Sequence, residues 1–113
     1  MKNKIAFMAL LSSLFVGCIK RHKSTIKVCN NTLNVEVFNI NPAGVDAEYL
    51  MDSVNFRLYI GKLDSDHERY SYTCQEDTVC VKKIAIVDMT GDWKQVDIKT
   101  YNIKELKKNK VFE

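Results

Sequence analysis

The sequence predicts a small, mainly β domain, built as an antiparallel meander, sandwich or open barrel of about six strands with a short C-terminal helix. Apolar side chains recur at every second position, as in residues 54–60 (VNFRLYI), which places them on one face of a strand. Turn-forming stretches such as residues 41–44 (NPAG) separate these runs. Because no intervening segment is long and amphipathic enough for a crossover helix, an antiparallel sheet is favoured.

The strands are predicted from this alternation and from runs of β-branched residues. Residues 46–53 (DAEYLMDS) are predicted as a helical turn inside the second connection, and residues 64–67 (DSDH) and 90–92 (TGD) as turns. In chain order, the predicted strands are 25–29, 33–37, 54–60, 70–74, 79–87 and 94–100.

The end of the chain predicts a short helix over Ile103–Lys108. Asn102 is a favourable N-cap residue, and Glu105 follows three positions later, which is the spacing of a capping box. We expect Val111 and Phe112 to fold back onto the sheet after this helix, which makes the C-terminus part of the fold.

Length and charge limit the domain count and the class of partner. The chain has 113 residues, 46% of them hydrophobic, which suits one globular domain. Removal of residues 1–17, which include Lys2 and Lys4, would lower the formal charge from +3 to +1. Because no strong basic field remains, the sequence argues against nucleic acid as a partner.

Residues 1–17 are predicted to be a signal peptide. Lys2 and Lys4 form a basic start, and residues 5–16 (IAFMALLSSLFV) are an uncharged apolar run. This run is shorter than the roughly 20 residues that a transmembrane helix needs. Cleavage is therefore favoured over an uncleaved anchor with an inward-facing domain.

The stretch Phe15-Val16-Gly17-Cys18 resembles the lipobox of bacterial lipoprotein precursors. That resemblance implies that Cys18 carries a diacylglycerol thioether, that cleavage occurs just before it, and that the protein is held to a membrane by its N-terminal lipid chains. Phe15 stands where Leu is usual. The competing interpretation is an ordinary secretory peptide with an unmodified Cys18.

Residues 18–24 are predicted to be a basic tether, and residues 25–113 a single β-rich domain. The basic cluster 20–23 (KRHK) departs from the acidic stretch that surface-directed lipoproteins of Bacteroidota carry after the cysteine. We therefore expect a periplasm-facing protein, on the outer membrane rather than the inner one. The ending YNIKELKKNKVFE and the general layout resemble small uncharacterised lipoproteins of Bacteroidota.

Three further cysteines fit an oxidising compartment. Cys74 and Cys80 flank a short polar connection between two predicted strands, so a disulfide between them is the first prediction. A bridge from Cys29 to one of these two is the alternative. The spacing fits no structural zinc site, and the acidic residues of 64–68 are interpreted as a solvated turn, so no metal is expected.

The sequence contains no strong catalytic signature, and neither an enzyme nor a cofactor is expected. A dyad of Cys29 and His67 is the weak catalytic alternative. Tyr59 and Trp93 are the candidate interaction surface, because Tyr59 lies opposite the apolar face of its strand and Trp93 adjoins a Gly-Asp turn. The first hypothesis is a membrane-anchored binding module with a protein partner in the envelope. The alternative is an inhibitor or immunity-type lipoprotein that blocks a periplasmic enzyme or toxin.

Overall fold

The computed structural model describes residues 19–41, 44–86 and 91–113, and in them the predicted mainly β class is confirmed. Seven strands form two antiparallel sheets, whereas the sequence pattern predicted about six strands. The four-stranded sheet A and the three-stranded sheet B each follow chain order, so both are meanders of hairpins. The elements are β1 (Ile19–Val28), β2 (Leu33–Asn41), β3 (Val45–Asp52), β4 (Phe56–Leu63), β5 (Glu68–Gln75), β6 (Thr78–Ile86), β7 (Trp93–Asn102) and α1 (Ile103–Lys108).

The hydrophobic core lies between the two sheets. Each strand of a pleated sheet directs alternate side chains to opposite faces, and the apolar set of β2 points inward from sheet A. Sheet B contributes Val79 and Val81, and α1 contributes Leu106. The members from sheet A are Leu33, Val35, Val37, Leu50, Phe56 and Leu58.

The prediction of a basic tether over residues 18–24 is wrong from Ile19 onward, because β1 begins there. Its polar residues pair regularly with β2, and Lys23 is an extra residue where the register shifts between His22 and Ser24. The Lys23 ammonium lies 2.9 Å from the carboxylate of Asp46. A charged segment therefore becomes a strand because β2 supplies its backbone partners and Asp46 of β3 supplies a partner for Lys23.

The helical turn predicted for residues 46–53 is also wrong, because most of this segment forms β3. Asp46 and Glu48 of this strand are only 3% and 8% exposed. Asp46 accepts hydrogen bonds from Lys23 and Asn39, and Glu48 accepts one from the Tyr72 hydroxyl. These partners come from β1, β2 and β5, so no local pattern could reveal that the carboxylates are buried.

The predicted strand 54–60 begins two residues later, at Phe56. Val54, which was expected on the core face, is 77% exposed in the turn between β3 and β4. The carboxylate of Asp52 accepts hydrogen bonds from the backbone N–H of Val54 and the side chain of Asn55. This local capping ends the strand and turns Val54 outward.

The predicted C-terminal helix is confirmed over Ile103–Lys108. The side-chain oxygen of Asn102 accepts a hydrogen bond from the backbone N–H of Glu105 at 3.0 Å, as an N-cap requires. The last residues also fold back as predicted, because Phe112 forms a parallel bridge with Arg57 of β4. This tail occupies part of an otherwise free sheet edge.

The predicted bridge between Cys74 and Cys80 is wrong. The disulfide joins Cys74 to Cys29, with 5.3 Å between their Cα atoms, and of the described cysteines Cys80 stays a free thiol. Cys80 lies opposite Thr73, whereas Cys74 lies opposite Val79. The two cysteines of the β5–β6 hairpin therefore project from opposite faces of sheet B. Only Cys74 faces the core, where Cys29 reaches it from sheet A.

Candidate functional site

The outward face of sheet B presents an exposed aromatic and cationic surface, here called the Trp93 face. It comprises Arg69, Lys82, Trp93 and Ile98. The guanidinium carbon of Arg69 lies 4.6 Å from the centre of the Trp93 ring, within the range of a cation–π interaction. Trp93 is 37% exposed and Ile98 is 50% exposed. An apolar ring held in place by a stacked cation is thus open to solvent.

The Trp93 face is positively charged. The register of sheet B places Arg69 opposite Ile84 and Lys82 between Ser71 and Ile98. Among the outward positions of β5, β6 and β7, no aspartate or glutamate occurs in the described strands. Because like charges repel, this face suits a partner with an acidic surface better than a basic one.

The outer face of sheet A carries a second open feature, here called the aromatic–basic groove. It has a volume of about 640 Å³. Tyr49 and Tyr59 form an aromatic floor, and the centres of their rings lie 5.3 Å apart. The groove is lined by Lys20, Ile40, Ala47, Tyr49, Tyr59, Lys62 and Glu113.

Cations surround this aromatic floor. The Lys20 ammonium donates a hydrogen bond to the Tyr49 hydroxyl at 2.6 Å, and the Arg57 guanidinium carbon lies 4.0 Å from the Tyr49 ring centre. Burial raises the pKa of the Tyr59 hydroxyl above its ordinary value, and neighbouring Tyr49 acts in the same direction. The Tyr59 hydroxyl is therefore a neutral hydrogen-bond donor at physiological pH.

The C-terminal tail closes one side of the aromatic–basic groove. The backbone N–H of Glu113 donates to the carbonyl of Arg57 at 2.8 Å, and its side chain accepts from the backbone N–H of Tyr59 at 3.1 Å. The Arg57 guanidinium also donates to the Glu113 carbonyl oxygen. The charged side chains that line the groove are thus two lysines, Lys20 and Lys62, and one glutamate, Glu113.

A cleft of about 470 Å³ opens between the two sheets and contains buried carboxylates. Within it, the Tyr72 hydroxyl donates to Glu48 at 2.8 Å and so connects β5 of sheet B to β3 of sheet A. Burial raises the pKa of Glu48, an effect that the Tyr72 hydrogen bond partly offsets. We interpret this cluster as part of the packing between the sheets, because both carboxylates already have protein partners.

Glu48→Gln is expected to stabilise the protein once the pH rises above the folded-state pKa of Glu48. Burial gives Glu48 a higher pKa in the folded than in the unfolded chain, so its contribution to stability is present below its ordinary pKa and is lost as the pH rises through the folded pKa. Glutamine keeps an acceptor for Tyr72 without the buried charge. Each kcal/mol gained would raise the Tm by about 4–8 °C.

The measurement is the Tm of the wild type and of the Glu48→Gln variant between pH 4 and pH 8. The difference between the two Tm values should widen as the pH rises. Asp64→Asn is the control with the opposite sign, because the hydrogen bond from the backbone of Asp66 lowers the pKa of Asp64. A gap that stays constant or narrows with pH would contradict the account of Glu48.

Residues with metal-binding or catalytic chemistry are used structurally. In residues 19–41, 44–86 and 91–113, no three His, Cys, Asp or Glu side chains are placed to hold a metal ion. Asp64 accepts from the backbone of Asp66 and from His67, within the turn that precedes β5. The weak alternative of a Cys29 and His67 dyad fails, because Cys29 is bonded to Cys74 and has no free thiol.

The predicted site residues do not form one site. Cys18, the lipobox and the signal peptide lie outside the described residues. Tyr59 and Trp93 are each 37% exposed, but they lie on the outer faces of different sheets. Sequence reasoning missed Tyr49, because its segment was assigned to a helical turn, and it missed Arg69, whose contact with Trp93 joins strands that are not neighbours.

Comparison with known proteins adds no functional assignment. No protein-family model, curated protein or solved structure matches the chain. No helix within the described part of the chain has the length and apolar character that crossing a bilayer requires.

Proposed function

We propose that this chain is a lipid-anchored, non-enzymatic binding protein on the periplasmic side of the bacterial envelope. The lipobox-like stretch ending at Cys18 supports attachment to the membrane, with the outer membrane favoured over the inner one. The exposed Arg69 and Trp93 pair carries the binding part of the proposal. Tryptophan and arginine dominate the binding energy of many protein interfaces, and nucleic acid remains an unsuitable partner.

The partner is proposed to be an envelope protein with an acidic rim around an apolar pocket. The Trp93 ring would enter the pocket, and Arg69 and Lys82 would face the acidic rim. Ile98 extends the apolar area beside them, at 50% exposure. Antiparallel pairing of three strands fixes the backbone of these residues, so the entropy lost on binding is confined to their side chains.

Trp93→Ala is expected to weaken binding of that partner at least about thirtyfold, the loss typical of an interface hot spot. The measurement is in-cell cross-linking of the full-length protein, followed by purification from membranes and quantification of the adduct. Thr73→Ala is the matched control, since Thr73 is exposed on the same sheet face.

The control is expected to retain the adduct. If Trp93→Ala forms as much adduct as the wild type, this would contradict the Trp93 face as the binding surface.

A separate variant tests the anchor. Recovery of Cys18→Ser in the membrane fraction without acyl groups would contradict lipid attachment at Cys18. If the captured partner is an enzyme or toxin that the protein inactivates, the protein belongs to the inhibitor or immunity class.

A further inference from the structure

We propose that the aromatic–basic groove on sheet A binds the phosphate of an anionic lipid headgroup in the membrane that carries the protein. This inference rests on the proposed lipid anchor at Cys18, and it assigns a ligand to a surface that the protein-binding role leaves unused. The Trp93 face belongs to the other sheet, so both surfaces can be occupied at once.

The position of the groove along the chain supports a membrane ligand. β1 begins at Ile19, directly after Cys18, so no flexible spacer separates the predicted lipid from the folded domain. Consecutive Cα atoms are about 3.8 Å apart, which keeps Lys20 within about 8 Å of Cys18. The groove that Lys20 lines therefore lies at the depth of the headgroups when the acyl chains are inserted.

The two lysines of the groove lie at the same end of sheet A. Lys20 is opposite Ile40 on β2, and Lys62 is opposite Ala47 on β3. The Lys20 side chain reaches across β2 to the Tyr49 hydroxyl on β3. Its ammonium is thus brought to the strand beside Lys62, so the two charges face the same open space.

The groove offers the hydrogen-bond donors and positive charges that a lipid phosphate requires. Lysine ammonium groups and a neutral tyrosine hydroxyl supply hydrogen-bond donors. Glu113 also lines the groove, where its carboxylate accepts from the backbone N–H of Tyr59, but among the described residues no carboxylate forms an ion pair with Lys62 or Lys20. Tyrosine and lysine side chains are also typical of membrane interfaces, where a ring lies among headgroups and its polar end reaches water.

A membrane lipid is a better candidate than an acidic peptide because of its effective concentration. A protein anchored at Cys18 stays within reach of headgroups at all times, so the second contact is intramolecular. An acidic segment of a soluble partner would have to compete with that permanent supply. The floor of tyrosine rings suits the glycerol and upper acyl region of a lipid.

The test uses full-length acylated protein reconstituted in vesicles of phosphatidylcholine, with or without phosphatidylglycerol. Ile40, which lines the groove without supplying a side-chain donor, is replaced by the photoreactive residue p-benzoylphenylalanine, and lipid adducts are quantified by mass spectrometry after irradiation. The control position is Thr78, which is exposed in sheet B near the disulfide, at the end of the fold away from Ile19.

We expect at least about fivefold more phosphatidylglycerol adduct at position 40 than at position 78, and a similar loss in the Lys20→Glu/Lys62→Glu variant. Lys62→Glu alone is the second variant, because it leaves the Lys20 hydrogen bond to Tyr49 in place. Unchanged Tm values would show that both variants are folded.

Equal adduct at positions 40 and 78, equal adduct without phosphatidylglycerol, or adduct that survives the charge reversal would overturn the inference. Binding of inorganic phosphate to the protein together with no phosphatidylglycerol adduct would assign the groove to free phosphate and also overturn it. The mass of the purified chain reports on the anchor separately. An acylated chain without lipid adduct overturns only this inference, whereas a chain without acyl groups overturns the proposed function as well.

Discussion

Removal of the disulfide between sheets A and B is expected to lower the free energy of unfolding by about 4 kcal/mol. The bond joins Cys29 to Cys74 across a sequence separation of 45 residues. Opening a loop of that length returns much conformational entropy to the unfolded chain. Because domains of this size have unfolding free energies of only about 5–15 kcal/mol, this single bond contributes a large share.

The variant to measure is Cys29→Ser/Cys80→Ser, compared with Cys80→Ser alone. The double change prevents the freed Cys74 from forming a new bridge. We expect its Tm to fall by about 15 °C or more, whereas Cys80→Ser should remain within about 0.5 kcal/mol of wild type. If Cys80→Ser causes the large loss, the bond would instead involve Cys80, with Cys74 or Cys29 as its partner.

Phe56→Ala is expected to reduce the free energy of unfolding by about 3–5 kcal/mol. Phe56 begins β4 and is 0% exposed, among the largest fully buried side chains. Truncation to alanine removes the apolar area that the ring buries and leaves a cavity in the core between the sheets. Part of the cost comes from that cavity, because the surrounding strands cannot collapse into it without losing register.

Phe112→Ala is the matched control for Phe56→Ala, since it removes the same ring from a position that is 60% exposed. Its backbone bridge to Arg57 is retained, so we expect a loss of less than about 1 kcal/mol. Chemical denaturation monitored by Trp93 fluorescence would measure both. Similar losses for the two variants would contradict the assignment of Phe56 to the core.

The elements that the sequence predicted well are those whose signal is local. Alternation along Leu33–Val37 indicates a half-buried strand because the strand itself has period two. Asn102 and Glu105 predict the start of α1 because the capping hydrogen bond joins residues three apart. In both cases the atoms that interact are neighbours in sequence, and a short window contains all of them.

The elements that were predicted incorrectly depend on distant partners. Asp46 and Glu48 can be buried in β3 because Lys23 and Tyr72 supply their hydrogen-bond partners. The pairing of Cys74 with Cys29 depends on which face of sheet B each cysteine occupies, and adjacency along the chain favoured Cys80 instead. Charged residues at 20–23 suggested a tether because the pairing of β1 with β2 cannot be seen within that segment.

The sequence by itself determined the mainly β class, the positions of most strands, the terminal helix and the hypothesis of a lipid anchor at Cys18. The tertiary structure decided how the strands divide into two sheets, which cysteines are bonded, and that Tyr59 and Trp93 belong to separate surfaces. The physical reason is that strand alternation is a property of short segments. Sheet pairing, burial of charge and the contact of Arg69 with Trp93 arise only when residues far apart in the chain meet.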